Sequence, residues 1–345
     1  MAKKEKAKFD YAAELRELKN SGPARLYLLC GEEDYLRACF LDELKKLCIG
    51  DAPEEFNYRR LNGNPEPQKL FDAVESAPFC SERTLVEVKD FDINACRDAQ
   101  LEQLKEIWED IPDYCTLALL TPAGSEPDSR LGAVKAVKKL GKFISFEGQE
   151  KSALVSWIAR RFAALGKKIG RREAEQLIFS AGGLMNQLMP EIEKIAAGVK
   201  GDTVTARDID KFVQPLPEAR VFDFTDRLAA GRFDEAAETL AELIRCREEP
   251  VKLLALIGSQ LRRVYAVALA QEKGAGRDVL MELGGTRFDF VLQKLRDSAR
   301  RFTLPQLRGM VELCAVYDYK LKSSGTDGNE LLRELFAAMA ARVRC

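Results

Sequence analysis

The chain has 345 residues, more than one ordinary hydrophobic core accommodates, so two or three domains are expected. Hydrophobic residues make up 46% and charged residues 32%, the balance of a globular protein, and a net charge of −1 excludes a basic DNA-coating module. There is no histidine, which removes Ser-His-Asp and Cys-His catalysis and most zinc sites.

No run approaches the ~18 apolar residues that a membrane helix needs, so no membrane span is expected. The first residues, MAKKEKAKFDYAAEL, are basic without an apolar stretch, and a cytoplasmic protein is expected. Nine cysteines (Cys30, Cys39, Cys48, Cys80, Cys96, Cys115, Cys246, Cys314 and Cys345) form no CxxC pair, and most have apolar neighbours. They read as buried free thiols, neither a metal site nor a disulfide framework.

In chain order, Arg25–Cys30 is a short apolar run closed by Gly31, which predicts a buried strand. A helix follows over Glu32–Leu47, with Tyr35, Leu36, Cys39, Phe40, Leu44 and Leu47 at helical spacing. Asn57–Leu61 is a plausible strand, and a proline-started helix runs from Glu66 to Ser76 with Leu70, Phe71 and Val74 facing the core. Further strands are expected at Thr84–Val88, Thr116–Leu120 and Lys142–Phe146, with a helix from about Cys96 to Trp108. Such alternation argues for an open, mostly parallel sheet of the nucleotide-binding type. From Lys151 the strand signal fades. Ser152–Leu165, Arg171–Ser180 and Gly182–Ala197 read as helices, Lys200-Gly-Asp as a stop, and Thr205-Ala-Arg-Asp as a fresh cap. Gln214-Pro-Leu-Pro217 predicts a stiff linker. Beyond it Phe222–Ala230, Arg232–Cys246, Pro250–Gln271 and later segments are helical throughout. The expected domains are 1–147 (α/β), 148–213 (small, helical) and 214–345 (a larger helical bundle).

The turn after the first strand is where a phosphate-binding loop would lie. That chemistry needs several backbone N–H groups, a lysine on the outer phosphates and a Ser or Thr on magnesium. Here the turn reads Leu29-Cys-Gly-Glu-Glu-Asp-Tyr-Leu36, with one glycine and three consecutive acids that would repel phosphate. The acids also suit a helix N-terminus. ATP binding is not expected, no GxGxxG follows another strand, and no carboxylate dyad stands out among the many paired acids. Catalytic, cofactor and metal residues are therefore none.

Three stretches together resemble the bacterial DNA polymerase III delta-subunit family. The strand followed by Gly31-Glu-Glu-Asp-Tyr-Leu36 is similar to that family's LLxGEExYL opening. Ser76-Ala-Pro-Phe-Cys-Ser-Glu-Arg-Thr-Leu-Val-Glu-Val88 resembles its PFFxERRLVVV segment. Gly182-Gly-Leu-Met-Asn-Gln-Leu-Met-Pro-Glu-Ile-Glu-Lys-Ile195 resembles its NLxxLxxELEKL pattern, with Pro190 as a departure. Val221–Leu228, Leu253–Arg263, Phe288–Arg301 and Asp318–Gly325 resemble its collar domain in order and spacing, so the likeness runs from about Leu26 to Ala341. It implies an α/β plus all-α, AAA+-like clamp-loader architecture, with a degenerate nucleotide-free RecA-like domain, a small helical lid and a helical collar.

The implied function is that of a delta subunit that binds and opens the sliding clamp (beta) for loading onto primed DNA. It would act in a hetero-pentamer with ATPase subunits (tau/gamma) and delta-prime, as a noncatalytic subunit of a DNA-directed DNA polymerase holoenzyme. In the family a hydrophobic tip at the end of the helix before the ERxLV strand grips the clamp. The matching residues are Ala77, Pro78 and Phe79, although some members carry Leu where Pro78 stands. A Phe in isolation would more often be core, under Val86 and Val88, and the motif reverses that; Arg83 could pair with the tip or sit at the surface. Candidate DNA or subunit contacts are Lys138 and Lys139 within 135–142, Arg160 and Arg161 with the basic stretch through Arg172, and Arg262 and Arg263. The alternatives are a degenerate AAA+ scaffold or a delta-prime-like subunit. The latter would carry an SRC-type arginine finger and zinc cysteines, and an ATPase subunit a Walker A; none is found.

Overall fold

The computed structural model describes residues 9–96, 98–246, 248–323 and 325–344. Cys345 and the basic start, residues 1–8, lie outside them. The chain divides into two compact units, Met1–Glu150 with Leu184–Asn186, and Lys151–Gly183 with Gln187–Cys345.

The first unit runs α1 (Tyr11–Ser21), β1 (Leu26–Gly31), α2 (Asp34–Ile49), α3 (Glu54–Asn57), β2 (Tyr58–Asn62), α4 (Pro67–Val74), β3 (Thr84–Lys89), α5 (Asp98–Glu109), β4 (Cys115–Leu120), α6 (Gly132–Leu140) and β5 (Lys142–Phe146). Its five strands lie in the order β2-β3-β4-β1-β5 and every pair is parallel. β4 is buried along its length and β1 nearly so, as central parallel strands covered by helices on both faces must be. Leu26 and Leu28 of β1, Val86 and Val88 of β3, and Leu117 and Leu119 of β4 pack against Leu70, Val74, Leu104, Trp108, Val134 and Val137 of α4, α5 and α6. Tyr27, Phe40 and Phe146 form a second aromatic cluster, with ring centroids 5.8 to 5.9 Å apart.

α1 and α6 were not among the expected helices. α1 buries only Leu18 and is started by Asp10, whose carboxylate accepts the N–H groups of Ala12 and Ala13. α6, within the predicted basic patch, buries Ala133, Val134 and Val137 and leaves its lysines outside. Phe71 corrects an expectation: Leu70 and Val74 of α4 are buried, but Phe71 points outward at 43% exposure. The buried stripe of α4 runs through Leu70, Ala73 and Val74, and at about 100° per residue Phe71 falls beyond its edge, on the side away from Ala73. Leu47, expected on the buried stripe of α2, is likewise exposed.

The second unit contains α7 (Lys151–Ala164), β6 (Lys168–Ile169), α8 (Arg171–Ala181), most of α9 (Met185–Gly198), β7 (Thr203–Val204) and α10 (Ala206–Phe212). It continues with α11 (Pro217–Ala229), α12 (Phe233–Arg245), α13 (Pro250–Glu272), α14 (Arg277–Leu283), α15 (Asp289–Arg301), α16 (Leu304–Ser323) and α17 (Gly328–Arg344). β6 and β7 form a two-residue parallel pair that has no periodicity to announce it. The expected cap at Thr205 is a full capping box with Asp208. Pro217 opens α11 five residues before the expected start, because proline's fixed φ suits the first helical turn.

α13 is long and apolar enough to cross a membrane by composition. It is instead the core helix of this unit: Leu253, Leu254, Ile257, Leu261, Val264 and Val267 are all buried. Phe179 of α8 sets its ring 5.0 Å from Phe222 of α11 and 6.0 Å from Phe290 of α15.

Candidate functional site

Two features of the first unit bear on function, and they lie at opposite ends of its sheet. At the carboxyl ends of β1 and β5, beside the loop after β4, is a cavity of about 340 Å³ whose lining includes Gly31, Glu32, Ser125, Glu126, Ser145 and Glu147. In open parallel sheets this is the usual place for a bound nucleotide. Here three carboxylates face the space, and no Lys or Arg is among its described lining residues. Gly31 has φ +110°, and a Cβ on it would stand 2.3 Å from the Phe146 carbonyl oxygen. The glycine is thus required by the close packing of β1 on β5, without reference to a phosphate.

The acids after Gly31 were expected to suit a helix N-terminus. Asp34 is the first residue of α2 and pairs with Arg37 at 2.6 Å. Glu33 occupies the cap position but makes no side-chain cap bond. Its carboxylate accepts the Met185 N–H at 3.2 Å, from the short segment that groups with this same unit, and burial pushes its pKa up to about 7. Glu32 accepts the Gly148 N–H at 3.2 Å.

The second feature is the loop between α4 and β3. α4 ends at Val74, so Ala77, Pro78 and Phe79 stand beyond the helix, in the loop and not at the helix end. Ala77 is exposed, Pro78 half-buried, and Phe79 55% exposed, which removes the core reading of Phe79 under Val86 and Val88. What holds the loop is Asn57, at the junction of α3 and β2 and itself fully buried. Its Oδ1 accepts the Phe79 N–H at 2.7 Å, while its Nδ2 donates to the Phe79 carbonyl at 2.7 Å and to the Pro53 carbonyl at 2.9 Å. The amide pairs with the Phe79 backbone as a neighbouring strand would, so both polar groups of that peptide are satisfied.

Adjacent bonds complete the frame. Tyr114 Oη donates to the Glu75 carbonyl at 3.1 Å, Ser81 Oγ donates to the Arg83 carbonyl at 2.6 Å, and Arg83 Nη1 donates to the Pro23 carbonyl at 3.2 Å. Arg83 therefore braces the loop against the segment before β1. Cys80 is held at φ +56°, a strained conformation for a residue with a side chain. The Phe79 ring lies 5.1 Å from that of Phe56 in α3, itself 53% exposed. Neither Phe56 nor the role of Asn57 was foreseen. An aromatic just before a strand carries no local signal that it will meet a residue 23 positions on.

The basic candidates are spread over both units. Lys138 and Lys139 are exposed in the last turn of α6, with the Lys138 ammonium 4.3 Å from the centroid of Phe143. Lys142 of the same stretch is paired with Glu17. Arg160 is exposed on α7, and the Arg161 guanidinium lies 5.6 Å from the Trp157 ring. Arg171 bonds Glu175, a buried carboxylate also held by Lys151 at 2.9 Å. Arg262 and Arg263 are exposed on α13. The ion pairs at Lys142 and Arg171 reduce the positive charge those stretches offer to a ligand.

Among the described residues, no three His, Cys, Asp or Glu side chains cluster as a metal site would require. Cys30, Cys48, Cys115 and Cys314 are buried free thiols; Cys80 and Cys246 are exposed, against expectation, because each lies at or beyond the end of an element.

Family models described as "DNA polymerase III, delta subunit" and "DNA polymerase III delta subunit, C-terminal domain" match residues 27–147 and 218–339. The chain is 26% identical over 331 residues to DNA polymerase III subunit delta of Bacillus subtilis (strain 168), covering 93% of this chain and 94% of that protein. It is 21% identical over 327 residues to the probable DNA polymerase III subunit delta of Aquifex aeolicus (strain VF5), covering 92% of each. Among solved structures, the Bacillus subtilis DNA clamp loader delta protein aligns at 23% identity over 96% of this chain and 100% of that one, with a TM-score of 0.49.

Proposed function

The chain belongs to the DNA polymerase III delta-subunit family, whose two models together span well over half of it, and from that premise we propose that it grips the sliding clamp through Phe79 and holds open one interface of the ring. Its fold is the α/β plus all-α, AAA+-like clamp-loader architecture. The observation that supports the grip is the loop at Phe79: an aromatic ring kept in solvent while both polar groups of its own peptide are fixed by a buried amide. An apolar pocket on a partner would cover that ring, and such anchors carry ~2 kcal/mol or more of binding energy.

In this reading ATP hydrolysis belongs to partner subunits, the tau/gamma ATPases, which assemble with this chain and delta-prime. The three carboxylates at the carboxyl ends of the strands support that division, since they oppose a polyphosphate. The chain then contributes no catalytic residue to the polymerase complex of which it is a subunit. We further propose a lid over 148–213 and a collar over 214–345; Pro215, between α10 and α11, and Pro217, which opens α11, support that boundary. Lys138, Lys139, Arg160, Arg161, Arg262 and Arg263 are the candidates for phosphate contacts to primed DNA or for contacts to neighbouring subunits.

The test is binding of the purified chain to the clamp of its own species, without nucleotide, beside Phe79→Ala. Binding that is lost in the variant supports the grip. Binding by neither protein sinks it, and equal binding by both moves the contact elsewhere.

A further inference from the structure

We infer that Phe56 is a second contact ring, which enters the clamp's apolar pocket together with Phe79 as one rigid two-ring unit. This rests on the clamp-gripping reading of Phe79.

The two rings touch, with centroids 5.1 Å apart and planes tilted by 53°, yet each keeps more than half of its surface in water. Mutual contact therefore leaves most of the pair unsatisfied. α3, which carries Phe56, is a single turn whose only buried residue is Asn57. The chain thus places its polar amide inside and its aromatic ring outside, the reverse of what folding favours. Asn57 is also the neighbour of Phe56, and it bonds the Phe79 backbone on both its N–H and its carbonyl. The backbones that carry the two rings are thereby tied together, and neither can shift away from the other without breaking those bonds. Such preorganisation removes the ordering cost that a lone phenylalanine on a loop would meet on binding.

The surroundings fit a small protein interface. Glu54 and Glu55 precede Phe56 in the same turn and Glu82 follows Phe79 by three residues, all exposed and with Glu54 held by Lys45 at 2.6 Å, so polar residues flank the apolar pair along the chain. The size argues against a second copy of this chain as the occupant. Two half-exposed rings offer on the order of 200 Å², whereas a stable dimer buries upwards of about 1,000 Å². An area this small stabilises a complex only as a plug in a concave pocket, which is the geometry proposed for Phe79.

The experiment measures clamp binding by the full chain carrying Phe56→Ala, Phe79→Ala or both, with folding checked by circular dichroism. In parallel, a photoreactive phenylalanine analogue at position 56 tests contact itself. The expected result is a loss of about ten-fold or more for Phe56→Ala, a smaller loss in the double variant than the product of the two single losses, and covalent capture of the clamp from position 56. If Phe79→Ala abolishes binding while Phe56→Ala binds as wild type and position 56 captures nothing, this inference is overturned and the clamp-gripping function stands. If the wild-type chain does not bind, both fall.

Discussion

Replacing Asn57 by alanine tests whether the loop at Phe79 is held as argued. The substitution removes three hydrogen bonds at 2.7, 2.7 and 2.9 Å and strands two carbonyls and one N–H beside a small void. At a net 0.5–1.5 kcal/mol each, and with Phe79 near enough to solvent for water to satisfy part of the deficit, the first unit should lose about 2–4 kcal/mol. Trp108 is buried in that unit and Trp157 in the other, so urea unfolding followed by tryptophan fluorescence in a Trp157→Phe background isolates the right transition. Asn57→Asp is the control. It keeps the acceptor for the Phe79 N–H but turns a carboxylate towards the two carbonyls, so it should cost at least as much as alanine. Its penalty should also shrink as the pH is lowered and the carboxylate becomes protonated. Both variants should weaken clamp binding although neither touches the exposed rings. A loss below about 0.5 kcal/mol for Asn57→Ala, within the range of ordinary surface substitutions, would refute the claim that this amide fixes the loop.

Gly31→Ala should destabilise the first unit by about 3 kcal/mol or more, since the new methyl group meets the Phe146 backbone and φ is positive; an unchanged urea midpoint would refute it. Asp226, whose carboxylate is bonded by Ser298, has its pKa raised by burial against the lowering effect of Ser298 and Lys294. A raised carboxylate pKa means the unfolded chain ionises first, so the group's stabilising contribution is complete at low pH and is lost as the pH rises from about 4 through the folded pKa. Asp226→Asn should therefore match wild type near pH 4 and become the more stable protein towards pH 7, as read from urea unfolding across that range; a constant gap would contradict it. Mg-ATP at millimolar concentration should show no saturable binding in equilibrium dialysis and should leave clamp binding unchanged. Saturation would show that the carboxylates around Glu126 do not exclude a polyphosphate.

What was legible in the sequence follows from where each side chain's partners lie. Arg25–Cys30 and Thr116–Leu120 read as strands because central parallel strands are apolar on both faces, and the structure places β1 (Leu26–Gly31) and β4 (Cys115–Leu120) there. Thr205 and Asp208 read as a cap because a capping box is complete within four residues. β6 and β7 were invisible because two residues hold no period. Phe71 was misplaced because the buried stripe of α4 is completed by Ala73 on the other side of Leu70, which the larger Phe71 outweighs in an apolar pattern. The tip residues were found through a resemblance, and physics from the chain alone would have left Phe79 in the core. Phe56 and Asn57 were missed for a related reason: their meaning depends on Phe79, 23 and 22 residues away in sequence, and only the fold closes that distance.

The sheet also explains how the proposed grip on a partner and an acidic crevice can coexist in one unit. All five strands run parallel, so every loop that precedes a strand lies at one edge and every loop that follows one lies at the other. Phe79 precedes β3 and Phe56 precedes β2, which puts both rings at the amino-terminal edge on neighbouring strands. Glu32 follows β1, Glu126 follows β4 and Glu147 follows β5, which puts the acidic crevice at the carboxyl-terminal edge. The length of the strands separates the two, so acids at the carboxyl-terminal edge leave the geometry of the ring pair untouched. A bound nucleotide would have no direct purchase on Phe56 or Phe79. The clamp grip proposed at this edge would therefore be constitutive, set by the Asn57 bonds and the β2–β3 pairing, and in that proposal its timing would come from other subunits.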